Sequence, residues 1–586
     1  MGEIKKFKRV LVANRGEIAI RVFRACRELG IRTVAIYSEE DKNSLSRTKA
    51  DEAYQIGKGK TPVGAYLSID EIIALAKAKG VDAIHPGYGF LAENEEFAKT
   101  CADAGIEFIG PTAEMMNSLG DKIQSKIVAH SVGVPTVPGV EKAIETEAEA
   151  LEFANSCGYP VMLKAAAGGG GRGMRIVRSE EELLPQFRSA RSEAAKAFGI
   201  DDIFIEKYLE NPKHIEVQIL GDKEGNIVHL YERDCSIQRR HQKVIEFTPA
   251  LCLTDEQRSA ICEDAIKIAK AVSYRSAGTV EFLLDHTTGK HYFIEMNPRI
   301  QVEHTVTEMV TGIDIVQAQI LIAEGHRLDS REIGIKGQDD IKVTGHAIQC
   351  RITTEDPAND FMPDTGTIES YRSPGGFGIR LDGGNGFQGS TITPFYDSLL
   401  LKVTSFGRDF DDTRRKAIRA LGETIIKGVK TNIPFMLNVL NHPTFAAGEC
   451  DTGFIANTPD LLDIGKVQDT ELRVIEFLGN KFVNETKGRK RSYNVPVFPK
   501  FKSEEIADLQ GRGTKQLFDE MGAKDFTQWV RKQQRLFVTD TTMRDAQQSL
   551  MATRVRTVDM EKIAPAVSVY GRKLFSLEMW GGATFD

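Results

Sequence analysis

Four consecutive glycines, Gly168, Gly169, Gly170 and Gly171, sit inside Lys164-Ala-Ala-Ala-Gly-Gly-Gly-Gly-Arg-Gly. Neither a helix interior nor a strand interior tolerates such a run, because each glycine gives up more backbone freedom than any other residue. Short apolar runs flank it, Pro160 to Ala165 and Met174 to Val177. The segment therefore reads as a two-stranded hairpin with a glycine-filled tip. Free N–H groups in such a tip converge on one ligand, and phosphate oxygens suit that nest. The plainer alternative is a flexible hairpin tip. Gly-Lys-Ser/Thr is missing, so this is not a Walker loop, and its place between two strands excludes a Rossmann fingerprint. Lys164 stands just before the loop, where a cation holds a phosphate.

A second hairpin carries acids. Thr279 to Asp285 and Tyr292 to Asn297 read as antiparallel strands joined by His286 to Lys290. A turn centred on Thr288 puts Glu281 opposite Glu295, with Asn297 two residues on along the same face. Like charges facing each other across a sheet are destabilising, and a cation between them removes the penalty. All-oxygen donors suit magnesium, which usually keeps substrate phosphates in its shell. The strand is expected to continue through Pro298, Arg299, Ile300, Gln301, Val302, Glu303 and His304, gathering acid, base and amide beside the metal pair.

The rest of the chain is ordinary by composition. It has 586 residues, 41% hydrophobic and 27% charged, with a formal net charge of −7. That excludes a strongly basic nucleic-acid footprint. Length alone suggests roughly three to five domains. Eight scattered cysteines form no CxxC pair, which argues against a zinc site and suits a reducing cytoplasm. No apolar run is long enough for a membrane span. The first strand candidate starts near Lys8, so no signal or transit peptide is expected. Strand and helix alternate near the start: Arg9 to Ala13, helix Glu17 to Leu29, Thr33 to Tyr37, helix Asp70 to Lys79, Ala83 to His85, and Phe108-Ile109. This predicts a parallel α/β sheet. A helix over Asp121 to Ala129 and a small α/β unit over 132–204 follow. Strands dominate from Ile203, where His214 to Leu220 alternates with period two and puts His214, Glu216 and Gln218 on one face. Gly345 to Leu401 reads as a β-rich module, Asp411 to Lys427 as a helix, Thr458 to Gln534 as a helical, polar connection, and Arg535 to Asp540 as a new strand.

RGEIAIR, HPGYGFLAEN, GDK, GGGGRG, EKYLENPKHIEVQ, RDCSIQRRHQK, EMNPRIQVEH and GHAIQCRI occur in that order over about Lys8 to Phe454. Together they resemble biotin carboxylase. The resemblance implies an ATP-grasp fold: an N-terminal α/β domain over 1–121, an ATP-grasp domain over 122–335 with a mobile glycine lid at about 132–204, and a β-rich C-terminal module over 336–455. It implies that Lys122, Lys164 and the four glycines hold phosphates. Glu206, Lys207 and Leu209 would lie beside the adenine, with His214, Gln218 and His241 on the nucleotide side. Glu281, Glu295 and Asn297 would bind Mg2+ or Mn2+. Lys243, Arg299, Gln301 and Val302 would hold bicarbonate, and Glu303 would deprotonate it. Bicarbonate is a poor nucleophile, so a base must remove its proton before attack on the γ-phosphate. The carboxyphosphate would break down to carbon dioxide and phosphate, and Arg351 would stabilise the biotin enolate that attacks carbon dioxide. Phe247 and Thr248, just after Lys243, depart from the family pattern, as do the alanines 165 to 167.

Two further stretches, FVTDTTMRDAQQSL from Phe537 and LEMWGGATFD from Leu577, resemble the start of the carboxyltransferase domain of pyruvate carboxylase, a (β/α)8 barrel. Arg544 and Gln548 match substrate-side residues there and Asp545 a metal ligand, while Gln547 replaces the usual histidine. Residues 456–534 would connect and oligomerise, and 535–586 would be a truncated barrel start, because a barrel needs about 250 residues. The biotin carrier and its Met-Lys-Met motif are absent from the sequence. The expectation is a cytoplasmic ligase fragment, from a homotetramer, catalysing the first half of pyruvate carboxylation with biotin on a carrier elsewhere. The full enzyme would take pyruvate and hold a second divalent metal in its barrel. Three rivals stand beside this: the biotin carboxylase of an acyl-CoA carboxylase, another ATP-grasp ligase, and a non-catalytic subunit.

Overall fold

The computed structural model describes residues 4–579 apart from 121, 141, 166–173, 199–201, 465–469, 485–499, 501, 503–510, 512 and 549–556. It divides into two units, residues 1–467 and 468–586.

The first unit opens with five parallel strands: β1 (Arg9–Val12), β2 (Arg32–Tyr37), β3 (Glu52–Gln55), β4 (Ala83–His85) and β5 (Glu107–Phe108), in the order β3-β2-β1-β4-β5. Their apolar runs are unbroken because both faces are covered. Leu11, Val34 and Ile84 enter one core, and Val10, Val12 and Ala83 the other. The helix Gly16–Glu28 buries Ile18, Val22 and Cys26, the residues its sequence spacing aligns.

A small antiparallel sheet follows: β6 (Val161–Ala165), β7 (Met174–Val177) and β8 (Ile203–Lys207), ordered β7-β6-β8. Helices Glu147–Cys157 and Glu180–Phe198 pack on it through Ala150, Ala154, Leu183 and Phe187. The glycine tip lies outside the described residues.

The sheet that positions the site has eight antiparallel strands. Six are β9 (Lys213–Gly221), β10 (Ile227–Arg239), β11 (Gln242–Thr248), β12 (Ser276–Asp285), β13 (Lys290–Asn297) and β14 (His346–Thr353); two more are Ile379–Gly383 and Leu399–Gly407. They run β13-β12-β9-β10-β11-β14, then Leu399–Gly407, then Ile379–Gly383. Period-two alternation gives this sheet one apolar face and one polar face. Ile215, Val217, Ile219, Val280 and Phe282 pack against the helix Asp255–Ala271. Ile245, Phe247, Ile348 and Val403 pack against Phe410–Glu423. Phe247, one of the departures from the family pattern, packs its ring on Phe410 and Phe445 in this core.

Several expectations need correction. The strand at Asn297 does not run on to His304. Pro298 has no N–H for a ladder, and Arg299 N folds back onto Asn297 O at 2.9 Å, so residues 298–303 form a loop that feeds the helix His304–Thr311. The helix expected over Asp411 to Lys427 ends at Glu423. The β-branched pair Ile425-Ile426 instead makes a strand, Ile425–Lys427, against Ser370–Arg372. Strands do dominate from Ile203, with the helices Asp255–Ala271, His304–Thr311 and Ile315–Glu324 set among them. Among the described residues no single helix is long and apolar enough to cross a membrane.

In the second unit, helices Thr470–Gly479 and Thr514–Lys532 precede two parallel two-residue strands, Thr539–Asp540 and Ser576–Leu577. Helices Thr542–Gln548 and Thr557–Tyr570 lie between them in sequence. The strand expected from Arg535 starts only at Thr539. Phe537 packs instead on Phe575, ring centroids 4.5 Å apart.

Candidate active site

The polar face of the large sheet is buried, and it is built around Lys243. Its Nζ donates to Glu216 Oε2 at 2.5 Å, Glu303 Oε1 at 2.7 Å and Glu281 Oε1 at 3.0 Å. Three strands and a loop supply this cluster. Glu216 comes from β9, Lys243 from β11, Glu281 from β12, and Glu303 from the end of the 298–303 loop. Arg233 on β10 lies beneath, fully buried. It donates to Glu216 Oε1 at 2.7 Å, Gln218 at 2.8 Å, Thr307 and Gln301 at 3.0 Å, and Thr279 at 3.2 Å. Arg351 on β14 closes the row, with Nη2 donating to Glu303 Oε2 at 2.9 Å and Nε 2.5 Å from Glu246 Oε1.

Two irregularities aim these groups. On β10–β11, Ile237 pairs with Ile245 but Gln238 pairs with Lys243, so Val244 is an extra residue. That shift brings Lys243 to the Glu216 side. On β12–β13, Phe282 pairs with Phe293 but Glu281 pairs with Glu295, so Ile294 is extra. The turn is therefore not centred on Thr288: Asp285 pairs with Lys290. Asp285 organises this turn, accepting from Thr287 N at 2.9 Å and Thr288 Oγ1 at 2.8 Å. The bulge at Ile294 restores the expected opposition of Glu281 and Glu295.

Charge follows geometry. Burial opposes the charge on Glu303, but Lys243, Arg351 and Arg233 outweigh it and hold the carboxyl well below its ordinary value. Glu281 is likewise held well below, as Lys243 and His214 overcome burial. Burial and repulsion from Glu303 push Glu216 up, against Lys243 and Arg233. Burial pushes Glu246 up to about 7 despite Arg351. Burial works against the Lys243 ammonium, yet Glu216, Glu303 and Glu281 drive its value well up.

The polar face opens on a cavity of about 1780 Å³. Lys243, Glu281, Glu295, Asn297, Arg299, Gln301, Val302, Glu303 and Arg351 line it, as do Lys164, Glu206, Lys207, Leu209, His214 and His241. Lys164 pairs with Glu206, and Lys207 Nζ donates to Tyr159 O at 2.9 Å. Arg299 donates to Asn297 Oδ1 at 3.0 Å and lies 3.1 Å from Glu93. Gln218 does not line the cavity. Its amide is taken by Arg233 and by Gly278 O at 3.0 Å, beneath the site. Lys122 starts the helix Lys122–Ser131, but its side chain lies outside the described residues, as do Gly168 to Gly171 and the side chain of Gln548. In the second unit Arg544 lies 2.9 Å from Asp545 and 3.0 Å from Glu578, and Thr541 Oγ1 donates to Asp545 at 2.7 Å.

The donor set fits a hard divalent cation. Glu295 faces Glu281 across the hairpin and has no hydrogen-bond or ion-pair partner among the described residues. Asn297 and the remaining capacity of Glu281 Oε2, which lies 2.9 Å from His214 Nε2, complete an oxygen-rich corner. Sequence reasoning missed Arg233 and Glu246. The signal for Arg233 was its place in Glu232-Arg233-Asp234, three charges in a row on a strand inside a β-rich stretch.

The sequence matches the family described as the biotin carboxylase N-terminal domain over residues 6–116. It matches the carbamoyl-phosphate synthase L chain ATP binding domain over 121–331 and the biotin carboxylase C-terminal domain over 349–457. A solved biotin carboxylase domain of a thermophilic 2-oxoglutarate carboxylase, bound to bicarbonate, is 50% identical with a TM-score of 0.74. The match covers 78% of this chain and 99% of that one. This chain belongs to the biotin carboxylase family. As a biotin carboxylase it also resembles longer proteins. Pyruvate carboxylase of Bacillus subtilis (strain 168) is 53% identical over 99% of this chain and 51% of its own length. Mitochondrial pyruvate carboxylase of Mus musculus is 54% identical over 100% and 49%. A solved Rhizobium etli pyruvate carboxylase, with the allosteric activator acetyl coenzyme-A, is 50% identical with a TM-score of 0.72, covering all of this chain and 52% of that one. The chain spans about half the length of the curated relatives it matches.

Proposed function

We propose that this biotin carboxylase uses ATP and bicarbonate to carboxylate biotin, as the first half-reaction of a pyruvate carboxylase. The observation that carries it is the Lys243 cluster: a buried, ionised Glu303 gripped by Lys243 and Arg351 on the wall of a cavity whose other wall carries Lys164 and Glu206. Glu303 takes the proton of bicarbonate. Held so low, it is fully ionised at neutral pH but a weak base. Approach of a second anion raises its value and strengthens it at the moment it is needed. Lys243, Arg299 and Gln301 hold the bicarbonate, with Val302 beside them. Arg351 puts a fixed positive charge where the ureido oxygen of biotin gains negative charge. Lys122, Lys164 and Gly168 to Gly171 hold the phosphates, and Glu206, Lys207, Leu209, His214 and His241 the nucleoside side. Glu281, Glu295 and Asn297 would bind Mg2+ or Mn2+, which neutralises phosphate charge during transfer.

The domain organisation supporting this reading is 1–121, 122–335, 336–455, 456–534 and 535–586, the last as the start of a carboxyltransferase barrel. Pyruvate as final acceptor rests on that last segment, with Arg544, Asp545 and Gln548 as its candidate site residues. The remaining partners proposed are a carrier domain bearing biotin, a barrel metal and three further copies in a tetramer, in the cytoplasm. The test is ADP release by the 586-residue chain with magnesium, ATP and bicarbonate, with and without free biotin. Biotin-stimulated release, lost by about 100-fold or more in Glu303→Gln, is the expected result. Release indifferent to biotin would remove the carboxylase reading.

A further inference from the structure

Lys243, Arg233 and Arg351 are accounted for by the groups they hold around the cavity. A fourth buried cation is not. Lys402 lies on the strand Leu399–Gly407, paired across the sheet with Arg351 on one side and Asp382 on the other, and its side chain is 0% exposed. Its Nζ donates to Val302 O at 2.9 Å and lies 3.0 Å from Glu17 Oε1. Glu17 comes from the first turn of the helix Gly16–Glu28 and also accepts from Tyr88 Oη. A buried ion pair is weak evidence for stability, because well-packed apolar side chains of similar volume often do as well or better. The pair is better explained by what its spare donor grips.

Val302 O belongs to the peptide that carries Glu303. Two other residues of this loop are held through their side chains, and Gln301 also through its carbonyl, which lies 2.7 Å from His304 Nδ1. Arg299 is held by Asn297 and Glu93, and Gln301 by Arg233 and Glu281. Val302 has an apolar side chain and is anchored through its carbonyl, by Lys402. Glu303 follows it with φ −85° and ψ 6°, directly before the helix His304–Thr311. The groups facing the Glu303 carboxylate are Lys243, Glu246, Glu216, Arg233, Cys235 and Arg351, from four strands. A small rotation of the Val302–Glu303 peptide would swing the carboxylate off Lys243 and Arg351 together.

We propose that Lys402 is a positioning residue for the base: by holding the Val302 carbonyl it fixes the peptide plane from which the Glu303 carboxylate is directed at Lys243, Arg351 and the bicarbonate between them. This rests on the reading of Glu303 as the base.

Four 586-residue chains separate the two ideas: wild type, Glu17→Gln, Lys402→Met, and the charge-neutral double variant Glu17→Gln/Lys402→Met. Each is measured for thermal melting, for kcat and KM towards ATP and bicarbonate in biotin-dependent ADP release, and for the acid limb of its pH profile. Glu17→Gln keeps Lys402 on Val302 O, with Asp382 still nearby, so its kcat stays near that of wild type. Both Lys402 variants are expected to lose about ten- to a hundredfold in kcat with KM for ATP unchanged, as misplacement by about an ångström does. Their acid limb moves to higher pH, because a base that leaves Lys243 and Arg351 returns towards its ordinary value. A folded double variant with wild-type kcat and an unmoved acid limb overturns the proposal. So does loss of fold in both Lys402 variants while Glu17→Gln folds, since that makes the pair structural. A wild-type chain with no biotin-dependent turnover fails the function reading instead, and is told apart by that alone.

Discussion

One ammonium among three carboxylates makes Lys243 the least replaceable side chain of the site. Removing it would leave Glu216, Glu281 and Glu303 buried without their shared cation. Breaking one partner out of a buried charge group typically costs about 3–5 kcal/mol. Glu246 sits at the edge of this group and titrates in the opposite sense from Glu303. Glu303 and Glu281 are depressed in the fold, so their contribution is present above the ordinary value of 4.5 and disappears as pH falls below it. Glu246 is raised from 4.5 to about 7, so the folded protein binds its proton more tightly than the unfolded chain does. Its contribution is complete below 4.5 and is lost as pH rises from there to about 7. Glu246→Gln removes that loss. The variant's melting temperature should gain on wild type between pH 5 and about pH 7 and then level off towards pH 8, read by scanning fluorimetry across that range. Parallel curves over the same range would mean that Glu246 is not a neutral, buried acid. The same neighbourhood shows what single residues conceal in a sequence. Arg233 opens the same motif-length stretch that ends in Lys243, yet it and Lys402 look like ordinary strand-surface charges until the sheet's polar face is seen to be covered by the helix His304–Thr311.

At the scale of elements, two bulges do the aiming. Alternation along His214 to Leu220 was enough to put His214, Glu216 and Gln218 on one face, and β9 obeys it. Periodicity has no term for an inserted residue, so the bulges at Val244 and Ile294 were not legible. The Glu281–Glu295 opposition was reached from a pairing register one residue off at the turn, and the fold corrects that through Ile294. The loop after Asn297 was missed for a similar reason: its residue types were read as a strand's, although Pro298 marks the end of the ladder. The two hairpin acids also differ in what else they hold. Glu281 accepts from Lys243, Asn297 and Gln301 and pairs with His214, whereas Glu295 has no partner among the described residues. Glu295→Gln should therefore raise the magnesium concentration needed for half-maximal ADP release by about tenfold while leaving metal-free melting within a degree or so. Glu281→Gln should raise the metal requirement and also lower the metal-free melting temperature. Equal melting losses in the two variants would contradict this division of labour.

Across the whole molecule, every group of the Lys243 cluster lies within residues 1–467, the first compact unit. The eight-stranded sheet explains why the cluster needs most of that unit. Its Glu281 end comes from the hairpin around residue 290, and its Arg351 end from strands after residue 340, so neither half of the unit holds the base from both sides. Residues 468–586 have their own contacts, among them the ring stack of Phe526, Trp529, Phe537 and Phe575 and the parallel pairing of Thr539–Asp540 with Ser576–Leu577. If the first half-reaction belongs to the first unit alone, a chain of residues 1–467 should fold and release ADP in response to free biotin within a few-fold of the 586-residue chain, as a domain with its own core can. Its KM for ATP and bicarbonate should match the longer chain's, because no cavity-lining residue is removed. A folded but inert 1–467 chain would show that residues 468–586 supply something the cluster lacks. The next comparison would then be Arg544→Ala in the full chain, whose biotin-dependent ADP release should be unchanged if that residue serves only a second, carboxyl-accepting half-reaction.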